Sequence, residues 1–234
     1  MFTASAELYD IIYSSFKDYA AESERITALL RSAHPACRSV LDVGCGTGEH
    51  VRLLAERGFQ VQGLDLDPEL LKVAAKKNPA CRFHHADMCA FAIGQRFDAV
   101  LCLFSSIGYA GTYERVVQAL GCFRRHLTEG GIVVVEPWFT PDQIRPGHTT
   151  STTVDAPPLR IVRTSRLEAV GRISRLTFDY EVTGPKGTRH ATELHELGLF
   201  TMEEMKGAFA EAGLAVTYDP EGLTGRGLYV GSAT

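Results

Sequence analysis

Ser39 to His50, SVLDVGCGTGEH, is the stretch that decides the fold. A short apolar run, Val40 to Val43, carries Asp42 and opens into Gly44, Gly46 and Gly48, followed by the helical-looking EHVRLLAERG. That order predicts a strand, a tight turn and a helix. Glycines in such a turn let a bound molecule approach the backbone with no Cβ in the way, and the helix beyond offers free N–H groups. The spacing is Gly-x-Gly-x-Gly, not the Gly-x-Gly-x-x-Gly that suits a dinucleotide pyrophosphate. An acid two residues before the first glycine is badly placed for a diphosphate and better placed for a cation.

A cationic cofactor portion such as the amino-acid end of S-adenosylmethionine fits that acid. On this motif alone a methyltransferase, another nucleotide enzyme and an inactive relative all stay open. The chain beyond supports an alternating αβ layout. The helix after Gly48 runs to about Arg57 and Gly58 stops it. Phe59 to Leu64 predicts a second strand ending at Asp65, 21 residues after Gly44, where an αβ unit returns a carboxylate to a ribose. Asp67-Pro68 predicts a helix cap with proline in the first turn, and the helix spans 68–77. Cys81 to His84 is a third strand leading to Asp87, on the same sheet edge as Gly44 and Asp65. There Asp87 can accept from an adenine amino group, with Met88 against the ring. Phe97 to Phe104 is apolar almost throughout and Ile132 to Val135 is unbroken apolar, as strands buried on both faces are. Between them SSIGYAGT forms a polar loop that should border the reacting centre, and a helix covers 113–127.

Composition narrows the class. The chain has 234 residues, 45% hydrophobic and 22% charged, with net charge -4. This suits one large domain, or a domain plus a cap, with a proper core. No concentrated basic stripe is present, so nucleic-acid binding is not expected. The six cysteines form no Cys-x-x-Cys pair and read as small buried hydrophobes, neither disulfides nor a zinc site. His84 and His85 point apart on a strand, and no metal is expected. No signal peptide and no apolar run of about 18 residues is apparent, so the expectation is a cytoplasmic protein without a membrane segment.

The flanks are less regular. Residues 6–32 predict a helix bearing Tyr9, Tyr13 and Tyr19, aromatics that hint at a flap over the cofactor. Residues 140–158, rich in Pro, Thr, Asp and Gly, predict a loop. Residues 159–171, 172–184 and 189–200 predict three antiparallel strands, Thr201 and Glu204 a capping box, and 202–212 a helix. Strands at 215–218 and 228–230 close the chain. Arginines 160, 163, 166, 172, 175, 189 and 226 fall in this half. Most of an alternating set should face water, but a guanidinium fork also suits a diphosphate. Arg226, flanked by glycines, is the preferred candidate.

DVGCGTG, GLDLDP, HHADM, FDAVLCLFSSIGY, RHLTEGG, VVVEPWF and LTGRGLYVG, in that order, resemble the class I S-adenosylmethionine-dependent methyltransferases. More narrowly the chain is similar to the sugar N-methyltransferases that act on TDP-linked amino-deoxysugars in macrolide and related antibiotic pathways. LFSSIGY, EPWF and GRGLYVG carry the narrower likeness, which runs from Leu8 to Gly231. The resemblance implies a Rossmann-like α/β fold, a mostly parallel seven-stranded sheet with an inserted antiparallel β cap. Its parts would be an S-adenosylmethionine-binding core over 1–137, inserted strands over 138–200, and a helix and strands completing the sheet over 201–234. It implies cofactor contacts from Tyr19, Gly44, Gly46, Asp65, Leu66, Asp87, Met88 and Leu103. Substrate contacts would come from Tyr9, Ser105, Ser106, Trp138 and Arg226. Tyr13 and His126 would sit near the acceptor amine, with His126 as base. Simple topology speaks against that last role, because a helix end entering the fifth strand lies opposite the cofactor edge. Ser14-Ser15-Phe16 is one residue shorter than the corresponding stretch in some relatives, and Phe139-Thr140 stands where relatives often carry a second Trp. The implied activity is N-methylation of a TDP-linked amino-dideoxyhexose; the alternative is methylation of a free small amine or hydroxyl. A homodimer is expected as well, since the second-half strands must bury an apolar side.

Overall fold

In the computed structural model the described residues are 6–233, without the side chain of Glu7. The apolar runs become the inner strands of a seven-stranded sheet. β1 (Ser39–Val43), β2 (Gln60–Asp65), β3 (Arg82–His85), β4 (Phe97–Cys102) and β5 (Leu127–Val135) are mutually parallel in the order β5-β4-β1-β2-β3. Val40, Leu41, Val43, Val100, Leu101, Val133 and Val134 are completely buried, which is why these runs read as unbroken apolar rather than alternating. Helices fill both faces. α2 (Tyr19–Ala33) and α3 (Glu49–Glu56) pack with the cluster around Leu54 and Val61, and α5 (Tyr113–Arg125) and α6 (Met202–Glu211) with that around Phe123 and Phe209. α4 (Pro68–Lys77) follows β2, capped by Asp67, whose Oδ1 accepts from the backbone N–H of Glu69 at 2.9 Å. The Thr201–Glu204 capping box opens α6. β11 (Leu228–Ala233) runs antiparallel beside β5, and β10 (Leu214–Asp219) lies outside it.

Between β5 and α6 the chain builds a second, four-stranded antiparallel sheet: β6 (Thr149–Ala156), β7 (Leu159–Val170), β8 (Ile173–Gly184) and β9 (Gly187–Gly198). β6 corrects the expectation of a loop over 140–158. Its sequence, TTSTTVDA, has no apolar alternation, because it is an edge strand with half its side chains in water. Threonine and valine nonetheless suit a pleated backbone, and β7 supplies the partner.

The N-terminal stretch differs too. Residues 6–32 are not one helix but α1 (Ala6–Tyr13) and α2, with a break at 14–18. Asp18 makes the break by accepting from the Ala21 N–H at 2.9 Å as the cap of α2. α1 is thereby freed to lie on the second sheet, where Leu8 and Ile12 bury against Ile161, Phe178, Tyr180 and Val182. One apolar side of the cap is therefore covered by α1 of the same chain.

β1 and β4 mark the point where strand order reverses, and a ligand crevice is expected beyond their carboxyl ends. Gly44 turns the chain there. Its φ is +73°, and a Cβ would lie 2.6 Å from the Ser106 Cβ. Gly44→Ala should therefore lose about 1–3 kcal/mol of stability through left-handed strain and the clash. Ser106→Gly in the same chain should recover part of that loss. Urea unfolding of the single and double variants checks this, and full additivity of the two changes would contradict it.

Candidate active site

Beyond the carboxyl ends of β1, β2 and β4, between the main sheet and the cap, lies a cavity of about 970 Å³. Its size is at the upper end for small-molecule sites. Asp65, at the end of β2, stands at one end. Its Oδ2 accepts from the Gly46 N–H at 2.8 Å and its Oδ1 from the Asp67 N–H at 2.9 Å. Each oxygen keeps a lone pair for a ligand hydroxyl. Burial pushes this carboxyl up, and the hydrogen bonds from Asp67 and Gly46 oppose it. Asp87 and Met88 line the same wall, together with half-exposed Leu66. Asp87 Oδ1 accepts from the Cys89 N–H at 2.9 Å and its Oδ2 from Arg115 at 2.8 Å.

A smaller recess lined by Tyr19, Asp42, Gly44 and Leu103 adjoins the cavity. Asp42 is 2% exposed, and its carboxyl is pushed up to about 6, chiefly by burial, with Asp65 adding and His50 opposing. A buried carboxylate with raised affinity for a proton is one that a ligand cation stabilises. Together the two ends suit a nucleoside whose tail is cationic. Among the described residues no group of three or more His, Cys, Asp or Glu side chains could hold a metal ion.

Toward the cap the walls change character. Tyr9, Tyr13, Ser105, Ser106, Trp138 and Arg226 all line the cavity, so the structure brings these candidates into one place. The loop after β4 is strained there: Phe104 and Ser105 have φ of 50° and 65° without being glycine. Buried Glu136 holds it, its Oε2 accepting from the Phe104 N–H at 2.7 Å, while the Ser105 hydroxyl donates to the Pro137 carbonyl at 2.7 Å. Glu136 Oε1 accepts from the Thr224 hydroxyl at 2.5 Å and lies 3.5 Å from Arg226. The strain turns the Phe104 ring into the site, 5.3 Å edge-on from Tyr13, with Lys17 Nζ 4.1 Å and the Arg226 guanidinium carbon 5.2 Å from its centre.

His126 is the correction. Its ring is buried at the far end of α5, stacked 4.3 Å from Phe91, and is no part of the cavity wall. Nδ1 donates to the Cys122 carbonyl at 2.7 Å, and Nε2 accepts from the Ile93 N–H at 3.1 Å. Both nitrogens are used, so the imidazole is a structural link and not a base for a group in the cavity. The topological argument from the sequence pointed the right way, and the role carried over by resemblance did not hold.

Several wall residues were not singled out by the sequence, Arg163 having been only one of seven arginines considered. Lys17 is buried in an ion pair with Glu22, which also binds His50 Nε2 at 3.0 Å. Burial lowers the Lys17 pKa, and Glu22 opposes that. From the cap come Arg163, Phe178 and His195, whose Nδ1 lies 2.9 Å from the Tyr109 hydroxyl. A signal for Arg163 existed. It is in phase with Leu159, Ile161 and Leu167, so period-two alternation turns it inward while Arg160 and Arg166 face out.

Residues 40–131 match the model of a family described as "Methyltransferase domain". The chain is 42% identical, over 97% of its length and 89% of the relative's, to dTDP-3-amino-3,6-dideoxy-alpha-D-glucopyranose N,N-dimethyltransferase of Streptomyces fradiae. It superposes on DesVI of Streptomyces venezuelae with a TM-score of 0.94 at 39% identity, covering 98% of each chain. On S-adenosylmethionine-bound CalS10, an amino pentose methyltransferase of Micromonospora echinaspora involved in calicheamicin biosynthesis, it superposes with a TM-score of 0.89 at 36% identity, covering 97% of each.

The structural role of His126 has a direct consequence. His126→Asn should cost about 1–3 kcal/mol of stability, because it strands the buried Ile93 N–H or Cys122 carbonyl. Denaturant midpoints for the two proteins measure this, and an unchanged midpoint would contradict the assignment.

Proposed function

This chain belongs to the class I S-adenosylmethionine-dependent methyltransferases related to the TDP-amino-sugar N,N-dimethyltransferases, and on that premise we propose that it N-methylates the amino group of a TDP-linked amino-dideoxyhexose. The observation that carries the proposal is one continuous cavity. It runs from Asp65 and Asp87, apt for a nucleoside, past Tyr13 to Trp138 and Arg226, apt for an aromatic base and an anion.

The residues present fit the cofactor. Asp65 keeps lone pairs for both ribose hydroxyls, the glycine turn at Gly44 and Gly46 lines the cavity beside it, and Asp42 offers a buried negative charge. When bound, S-adenosylmethionine supplies an electrophilic methyl group on a sulfonium centre. The chain's own task is alignment: Tyr9 and Tyr13, with ring centres 4.3 Å apart, and Phe104 enclose the space where an amine meets that methyl. Holding two reactants in line supplies a large part of such a rate. With His126 facing away, the amine's proton leaves to solvent before transfer, and positioning carries most of the catalysis.

Two measurements test this reading. Purified protein with S-adenosylmethionine should add one or two methyl groups, read by mass, to a TDP-linked 3-amino or 4-amino dideoxyhexose. Equal kcat/KM on the free amino sugar without its nucleotide would overturn the proposal. The second concerns pH. Because the Asp42 carboxyl is held up at about 6 in the free protein, protonation below that value removes the charge that meets the cofactor's ammonium. Affinity for S-adenosylmethionine should thus fall as pH drops from 7 to 5, by at most about tenfold per unit. Asp42→Asn should bind more weakly at pH 8 and with a flatter pH dependence; calorimetry giving the same slope in both proteins would rule out Asp42 as the group.

A further inference from the structure

Arg115 breaks a local rule. It is the third residue of α5, where the positive end of the helix favours acids such as the neighbouring Glu114. Its ion pair with Asp87 does not explain the exception. The two side chains are 44% and 35% exposed, and pairs so open to water stabilise a fold little. A residue that local structure disfavours and folding hardly needs calls for a use elsewhere. Arg115 and Asp87 both line the cavity, and Arg115 lies in none of the motifs that carried the resemblance.

The guanidinium is held from two sides. Nε donates to the Ala110 carbonyl at 3.2 Å, at the end of the loop after β4, and Nη2 donates to Asp87 Oδ2 at 2.8 Å. The backbone beneath is pinned as well. Its N–H donates to the Thr112 hydroxyl and its carbonyl accepts from the Cys89 thiol, each at 3.3 Å. On the other side of the carboxylate, Oδ1 accepts from the Cys89 N–H at 2.9 Å. Each Asp87 oxygen therefore has one fixed donor, from a different segment, and keeps a lone pair for a ligand. Two donors on opposite oxygens fix the plane of the group, which either one alone would leave free to turn. Burial raises this carboxyl, but the bonds from Cys89 and Arg115 and the Arg115 charge outweigh it and hold it below its ordinary range. Asp87 thus offers acceptors only, in one orientation, which suits an N–H donor and repels a carbonyl oxygen. We propose that Arg115 is a positioning residue for purine recognition, fixing Asp87 so that the site takes a 6-amino purine and turns away a 6-oxo purine. This rests on the assignment of Asp87 to the cofactor's adenine and adds to it the residue that makes the contact selective.

Calorimetry on the full chain with two probes tests this through binding and not turnover. S-adenosylhomocysteine and S-inosylhomocysteine differ at the purine 6-position and in the proton on N1 that goes with it. Wild type should prefer the first by about tenfold or more. Arg115→Leu should weaken S-adenosylhomocysteine by about threefold or more and leave S-inosylhomocysteine within about twofold, so the preference shrinks. In an Asp87→Asn background the same change should alter S-adenosylhomocysteine binding by less than about twofold, because Arg115 acts through that carboxylate. Arg115→Lys keeps the charge without the fork and should fall between wild type and Arg115→Leu. An unchanged preference in Arg115→Leu overturns the proposal. Equal losses for the two probes, or a larger loss for S-inosylhomocysteine, overturn it too, since Arg115 would then serve the fold or the ligand directly. If Arg115→Leu does not fold, the lysine variant decides alone, and an unchanged preference in it overturns the proposal. Equal binding of both probes by wild type would instead sink the assignment of Asp87 to adenine, so the two failures are distinct.

Discussion

The site depends on one short helix seated between two sheets. α1 has eight residues, too few to persist alone in water, so packing must hold it. Leu8 and Ile12 provide that by burying in the cap's apolar cluster. At a burial value of about 1.5–3 kcal/mol per large aliphatic side chain, two such residues are a substantial anchor. The opposite side of the same helix is polar. Asp10 accepts from the Thr47 hydroxyl in the glycine turn at 2.5 Å and pairs with Lys77 of α4 at 2.5 Å. Tyr9 and Tyr13 are left facing the space between. α1 thus ties the turn that shapes the cofactor end to the sheet that roofs the substrate end. Detaching it would open both.

Electrostatics around the cavity follow from burial. Acids at the sheet edge are pushed toward neutrality where burial outweighs their partners, as at Asp42 and Asp65, and held ionised where partners outweigh burial. Glu22 is the second kind: burial raises it, but hydrogen bonds from His50 and Lys17 outweigh that and leave it lowered. Glu136, completely buried, spends its two oxygens on the loop after β4 and on the loop that carries Arg226. Left-handed backbone at Phe104 and Ser105 costs on the order of 1–3 kcal/mol per residue, and these bonds offset it. The strained loop and the arginine loop therefore share one carboxylate, which couples the shape of the catalytic wall to the position of a substrate-side cation.

Much of this was legible in the sequence. The glycine turn needed only three glycines after an apolar run, because backbone sterics allow few residues there. Asp65, the Asp67 cap and the Thr201–Glu204 box were equally readable, since each acts within a few residues of chain or across one αβ unit. The αβ alternation and the antiparallel strands after it followed from apolar runs separated by helices, then from period-two alternation, whereas the seven-stranded sheet with its insert was implied by the family resemblance. What the tertiary structure alone decided was every question of which neighbour a side chain meets. The 6–32 stretch breaks because α1 has a sheet to lie on. β6 forms because β7 is beside it. His126 is spent on Ile93 and Cys122. Local propensity and spacing act along the chain and are written in it, whereas burial and hydrogen-bond partnership are set by segments distant in sequence and exist only once those segments have packed.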